Sequence, residues 1–295
     1  MSSLYSSAYP DPSYKQNGLN APTLQGNQST LPDFNLEHRR LIRKLELEQA
    51  IPLFGLGRRV LEIGAGAGWQ AGMLARKGYQ VTAIDVPESN YAALREWNVI
   101  LYDGVHIPAP DRYFDVIFSS NVLEHVSNLP ALQQEMYRVL KPGGIAVHIM
   151  PTPAWRLWTT CSFYAKRLRQ MCSRVTPANS ESPRESCRSS DTTSLLSKLR
   201  HAFFPARHGV RGSWLSELYL FSEYRWKNTL VDENWQLLEV VPNGLFYSGC
   251  RIFGNKITID MRRRLSSILG SSCKLYVMRR STVRNLDCSP VHHSE

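Results

Sequence analysis

The 295-residue sequence has no C-x-x-C pair: its six cysteines, at 161, 172, 187, 250, 273 and 288, stand singly and form no ligand-like cluster with histidine. That spacing argues against a metal site, and in a chain of this size the cysteines read as reduced thiols of a cytosolic protein. No apolar run reaches about 18 residues, and the first residues lack the charged start and apolar core of a signal peptide, so a soluble or peripherally attached protein is expected. Also missing is G-x-G-x-x-G, the turn that cradles a dinucleotide pyrophosphate. Acidic residues are scarce in one stretch: between Arg156 and Arg211 eleven basic side chains stand against three acidic ones, within a formal net charge of +10. A second basic cluster, from Arg251 to Arg280, includes Arg262, Arg263 and Arg264. Such surfaces attract the phosphates of lipids, nucleotides or nucleic acid, or are simply solvated. No RNA-binding module is recognisable, which weighs against nucleic acid as the partner.

What is present is organised around residues 58–85, RRVLEIGAGAGWQAGMLARKGYQVTAID. An apolar run, a glycine turn, a short helix and a second apolar run closed by Asp85 follow one another. Glycines at 64, 66 and 68 remove side chains where the backbone bends sharply and where a ligand can approach bare peptide groups. The helix that opens near Gly68 adds its positive end to the same place. Glu62 just before the turn would repel a pyrophosphate, whereas Asp85, at the end of the second strand, suits ribose hydroxyls. The pattern therefore points to a nucleoside carrying a cationic or zwitterionic group.

Residues 1–34 and 281–295 are polar and aperiodic and read as disordered tails flanking one domain, 35–280. Apolar periodicity from Asn35, ended by Pro52 and Gly55, predicts an amphipathic helix beside the sheet that could cover the ligand. A helical stretch is expected over 87–97, and a brief strand over 99–102 ends at Asp103 and Gly104. FDVIF, at 114–118, is suited to a central strand buried on both faces; its exit is polar, with Ser119, Ser120, Asn121, Glu124 and His125. A helix over 130–140, a turn at LKPGG and a strand over 145–150 follow. Alternating strands and helices predict an α/β, Rossmann-like, doubly wound sheet of seven strands, with a basic insertion after strand 5 at about 159–213. Helices over 222–235 and 256–269 and strands over 235–242 and 274–280 complete the chain.

LEIGAGAG at 61–68, Asp85, YFDVIFSSNVLEHV at 113–126 and RVLKPGGIAVHIMP at 138–151 together resemble the class I S-adenosylmethionine-dependent methyltransferases, and among them the type 11 group. The resemblance implies that Glu62, Gly64, Gly66 and Gly68 hold the methionine portion of S-adenosyl-L-methionine, Asp85 the ribose, Asp103 and Gly104 the adenine edge, and Asn121 the methionine end again. Methyl transfer to an alcohol also needs a proton removed, and His125 and His208 are the candidate bases. Arg207 and Arg211 beside His208, with Trp155, Trp158, Trp214, Tyr219, Phe246 and Tyr247, would suit a sugar carrying phosphate. HGVRGSWLSEL at 208–218 and PNGLFYSGCRIFG at 242–254 bear a looser likeness to methyltransferases of bacterial surface-polysaccharide synthesis. The expected activity is O-methylation of a saccharide or lipid-linked glycan at an anionic membrane surface, ahead of RNA methylation or non-catalytic cofactor binding.

Overall fold

A computed structural model describes residues 34–175, 204–249 and 257–281. Of the expected tails, 1–34 and 281–295, residues 1–33 and 282–295 lie outside them, as do residues 176–203 of the expected insertion, whereas Phe34 begins the first helix and Ser281 N–H bonds to Asn234 O. Seven strands form a single sheet in the order β3-β2-β1-β4-β5-β7-β6. They are β1 (Arg59–Ile63), β2 (Gln80–Asp85), β3 (Val99–Leu101), β4 (Phe114–Ser120), β5 (Leu140–Pro151), β6 (Trp235–Pro242) and β7 (Cys273–Arg280). The first five pair in parallel, and β7 runs antiparallel to both β5 and β6. Strand order reverses between β1 and β4, so the turns leaving these two strands flank the crevice where open α/β sheets bind ligands.

Alternation along the strands explains why both faces are covered. Leu61, Ile63 and Ile117 point into one core with Leu129, Leu132 and Met136 of α3 (Leu129–Val139) and Trp226 of α6 (Glu223–Leu230); helices α4 (Pro153–Val175) and α5 (Glu217–Leu220) come between these in the chain. Val60, Val116, Phe118 and Val147 point the other way, onto Leu47 and Ala50 of α1 (Phe34–Ala50), Phe54, and Leu74 of α2 (Trp69–Arg76). Phe118 and Ile117 are wholly buried, each contributing about 1.5–3 kcal/mol by removal from water.

Three local expectations are corrected. Only one 3-10 turn, Ala92–Leu94, forms within 87–97, because Tyr91 and Trp97 pack against the glycine turn and Glu96 N–H donates to Ala67. LKPGG is no turn: β5 begins at Leu140, and the extra residues form a bulge between the pairs Phe114–Leu140 and Val116–Ile145. Gly143, at φ +78°, supplies its bend, and an ion pair from Lys141 to Asp115 ties it to β4. The helix expected over 222–235 stops at Leu230, where Asp232 accepts the N–H groups of Asn234 and Trp235 and turns the chain into β6. The last helix, α7 (Ile259–Leu269), starts at Thr258, whose side chain accepts from Met261 N–H.

Candidate active site

The turn after β1 holds Gly64, Gly66 and Gly68 at φ +70°, +58° and +77°. Their lack of side chains serves the protein's own packing as well as ligand approach. A Cβ on Gly64 would overlap Val122, and one on Gly68 would overlap Trp97. The Tyr91 ring lies over Gly66, and Arg39 of α1 donates to its hydroxyl at 2.7 Å, so α1 and the β2–β3 segment close over the turn.

Two carboxylates face this turn. Asp85 is 6% exposed; Oδ2 accepts Gly66 N–H at 3.1 Å and Oδ1 accepts Val86 N–H at 2.9 Å. Each oxygen keeps a further lone pair for a hydroxyl donor. Glu62 is 3% exposed and its Oε2 accepts no hydrogen bond. Burial, with Asp85 adding repulsion, pushes its carboxyl up to about 8 despite a backbone hydrogen bond from Ala71. An orphaned carboxyl oxygen in a dry site fits an ammonium, and the set as a whole fits a ribonucleoside bearing a cation.

Asp103 stands apart in character. Its side chain is 55% exposed and is spent on its own loop, accepting from Val105 and His106 N–H and pairing with the His106 ring at 2.5 Å, which holds it down to about 2. Tyr102 N–H bonds to Asp85 O at 3.1 Å, so Asp103 and Gly104 follow directly from the Asp85 strand end.

The exit of β4 carries the second half of the site. Asn121 adopts φ +55°, a left-handed conformation that asparagine tolerates better than most residues. Its Oδ1 accepts from the buried Cys273 thiol at 3.4 Å. Three residues on, the chain reaches Glu124 and His125, and His208 arrives beside them from the far end of the insertion. The two imidazole rings lie 4.8 Å apart, centre to centre, and His208 packs on Trp155 at 4.5 Å. Burial lowers His125 from its ordinary pKa, with Glu124 opposing and His208 reinforcing the shift.

The sequence points to both histidines and places Glu124 only as a polar residue at the strand exit; it does not single out Glu217. Glu124 is buried, and its Oε1 lies 3.5 Å from Nε2 of His208 and 3.8 Å from Nε2 of His125. Glu217, wholly buried in α5, accepts the N–H groups of His208 and Gly209 through Oε1 and pairs with Arg156 through Oε2 at 3.1 Å. Val210 N–H closes the loop onto Glu124 O at 3.1 Å. The only sequence signal was the density of polar residues in NVLEHV and HGVRG. Arg43 and Glu46 of α1 were also missed: they pair at 2.6 Å, and Arg43 donates to Ser120 at the β4 exit at 3.0 Å.

Of the aromatics expected at a rim, Trp155 and Phe246 are buried and Trp158 spends its N–H on Leu269 O, so these serve packing, while Tyr219 is exposed. Arg262, read as part of a basic face, is 3% exposed and donates to Phe246 O at 2.9 Å; Arg263 and Arg264 do face solvent. Among the described residues no helix is long and apolar enough to cross a membrane.

Comparison with known proteins adds a sequence match to this geometry. A solved S-adenosylmethionine-dependent methyltransferase from Aquifex aeolicus aligns over 82% of this chain and 96% of its own, at 19% identity and a TM-score of 0.42. The malonyl-[acyl-carrier protein] O-methyltransferase of Serratia marcescens is 36% identical over 93 residues, covering 30% of this chain and 36% of that protein. A probable S-adenosylmethionine-dependent methyltransferase of Mycobacterium tuberculosis is 30% identical over 133 residues, covering 44% of this chain and 48% of that protein. The chain thus spans less than half the length of either curated relative. Residues 61–148, from β1 and its glycine turn to within β5, match the family described as methyltransferase domain. It is through this segment that the chain is similar to the S-adenosylmethionine-dependent methyltransferases.

Proposed function

We propose that this chain transfers a methyl group from S-adenosyl-L-methionine to a hydroxyl of a saccharide or lipid-linked glycan. Glu62 would take the cofactor's ammonium, Asp85 the ribose hydroxyls, and the glycine turn and Asn121 the methionine end. When bound, the cofactor supplies a methyl carbon activated by a positive sulfur, so alignment of donor and acceptor provides most of the acceleration.

The observation that carries the reading toward an alcohol is the meeting of His125 and His208 at Glu124. An alcohol must lose its proton as the new bond forms, and the cluster gathers three proton-accepting groups at the β4 exit, one residue pair away from Val122, which packs on Gly64. Glu217 and Arg156 hold the His208 loop in place from behind. The acidic acceptor malonyl-[acyl-carrier protein], named for the Serratia relative, would need no such groups, since a carboxylate is already deprotonated. A membrane-surface location is supported by α7, which shows Met261 and Ile268 to solvent alongside Arg263 and Arg264.

The test combines binding with product analysis. Calorimetry should show cofactor binding that Asp85→Ala abolishes, and labelled cofactor incubated with extracted glycans should yield methyl ethers. Absence of cofactor binding sinks the methyltransferase reading. Methyl esters, or full turnover in the His125→Ala/His208→Ala double variant, would sink the alcohol.

A further inference from the structure

We propose that Glu124, His125 and His208 form a binding site for one divalent first-row transition-metal cation at the mouth of the crevice. The carboxylate is the first argument. The Glu124 side chain is 1% exposed, and neither of its oxygens takes part in a hydrogen bond. A buried carboxylate left so is costly, and a cation is the usual compensation. Arg211 and Arg225 line the same small cavity beneath Glu124, but Arg211 donates to Ser127 O and Arg225 to Thr229. Among the described residues, only the two imidazoles stand within ion-pairing distance of Glu124.

The distances are the second argument. Nε2 of His208 lies 3.5 Å and Nε2 of His125 3.8 Å from the same oxygen, Oε1. Both are too long for a hydrogen bond to an ionised acceptor, which would draw in to about 2.7–2.9 Å. They suit two atoms that share a metal: bonds of about 2.1 Å meeting near the tetrahedral angle separate their ligand atoms by about 3.4 Å. One ligand atom from each of the three residues lies within 4.8 Å of the others. Two imidazoles and a carboxylate favour zinc, cobalt, iron or manganese over the oxygen-seeking magnesium or calcium, and three protein ligands leave positions open.

A built scaffold places the ligands. His208 enters on a loop whose N–H groups end on buried Glu217, and whose Gly209 has no room for a side chain because a Cβ would press on the Glu124 carbonyl. Both sides of the site are thus locked to each other before any ion arrives. The catalytic consequence rests on the proposed transfer to an alcohol. With the ion bound, the three side chains act through it instead of taking the proton themselves: a hydroxyl at an open metal position would be acidified, its O–H bond breaking with the proton passing to water, its oxygen bonding to the methyl carbon, and the C–S bond breaking with its electron pair staying on sulfur.

The experiment uses the full chain, treated with chelator and titrated with cobalt(II) while visible absorption is followed. A d–d spectrum of nitrogen and oxygen ligation, saturating at a single equivalent, is expected. Glu124→Gln, nearly isosteric, should weaken binding at least about 100-fold, as should His208→Ala, since even outer-sphere changes weaken metal sites by about 10–100-fold. If Glu124→Gln fails to fold by circular dichroism, His125→Ala, at a half-exposed side chain, decides. No saturable binding, a thiolate charge-transfer band, or unchanged affinity in the variants overturns the site. Cofactor calorimetry on the same chelator-treated protein separates the two proposals: cofactor binding without a cobalt site overturns the metal alone, and a cobalt site without cofactor binding overturns the methyltransferase reading alone.

Discussion

With Glu62 receiving the cofactor's ammonium as proposed, cofactor binding should release a proton. The Glu62 carboxyl stands at about 8 in the free protein, so about nine in ten molecules carry this proton at pH 7. An ammonium arriving beside Oε2 favours the carboxylate and expels the proton. Calorimetry of cofactor binding at pH 7 in buffers of differing ionisation enthalpy should therefore report release of about 0.9 proton per site. Glu62→Gln keeps the shape, removes the titration and should bring the release to zero while weakening binding. The same variant has an alkaline signature. The folded pKa is raised from 4.5 to about 8, so the folded state holds more protons across that window; the stabilisation is complete below 4.5 and is lost as pH rises through about 8. Cofactor-free Glu62→Gln should consequently lose less stability than the parent between pH 7 and 9. Binding by the parent chain without proton exchange, or equal release by Glu62→Gln, would refute the reasoning.

Two further outcomes are expected. Gly64→Ala combines a left-handed backbone with overlap onto Val122 and should cost about 2–4 kcal/mol in urea unfolding, with cofactor affinity falling in step; stability within about 0.5 kcal/mol of the parent would contradict the packing described. His148, buried in β5 against Ser119 Oγ at 2.7 Å, is pushed down to about 4 by burial. The unfolded chain binds this proton below 6.5 and the folded chain only near 4, so on the order of 3 kcal/mol of stability present above pH 6.5 should drain away between these values. His148→Asn should flatten that part of the stability–pH curve, and an unchanged curve would count against a neutral buried imidazole.

Much of the fold was legible because its signals are local. Val60–Ile63 and Phe114–Phe118 are apolar at nearly every position and could only be central strands, and the period of α1 is written in Leu41, Ile42 and Leu45. Errors arose where a local signal met a tertiary demand. LKPGG carries the residues of a turn, yet pairing with β4 draws it into a bulged strand, and the residues of 87–97 serve the glycine turn instead of a helix.

By itself the sequence determined the cradle: Glu62, the three glycines and Asp85 belong to one β-turn-α-β unit, and their proximity follows from short-range geometry. Tertiary structure alone decided what stands opposite. Glu124 and His125 share one stretch, but His208 and Glu217 reach them through a long excursion of the chain, and no local pattern encodes which loop will close on which strand end. That choice is made by burial of Trp155, Phe221 and the Arg156–Glu217 pair, and it converts separate polar residues into one carboxylate flanked by two imidazoles.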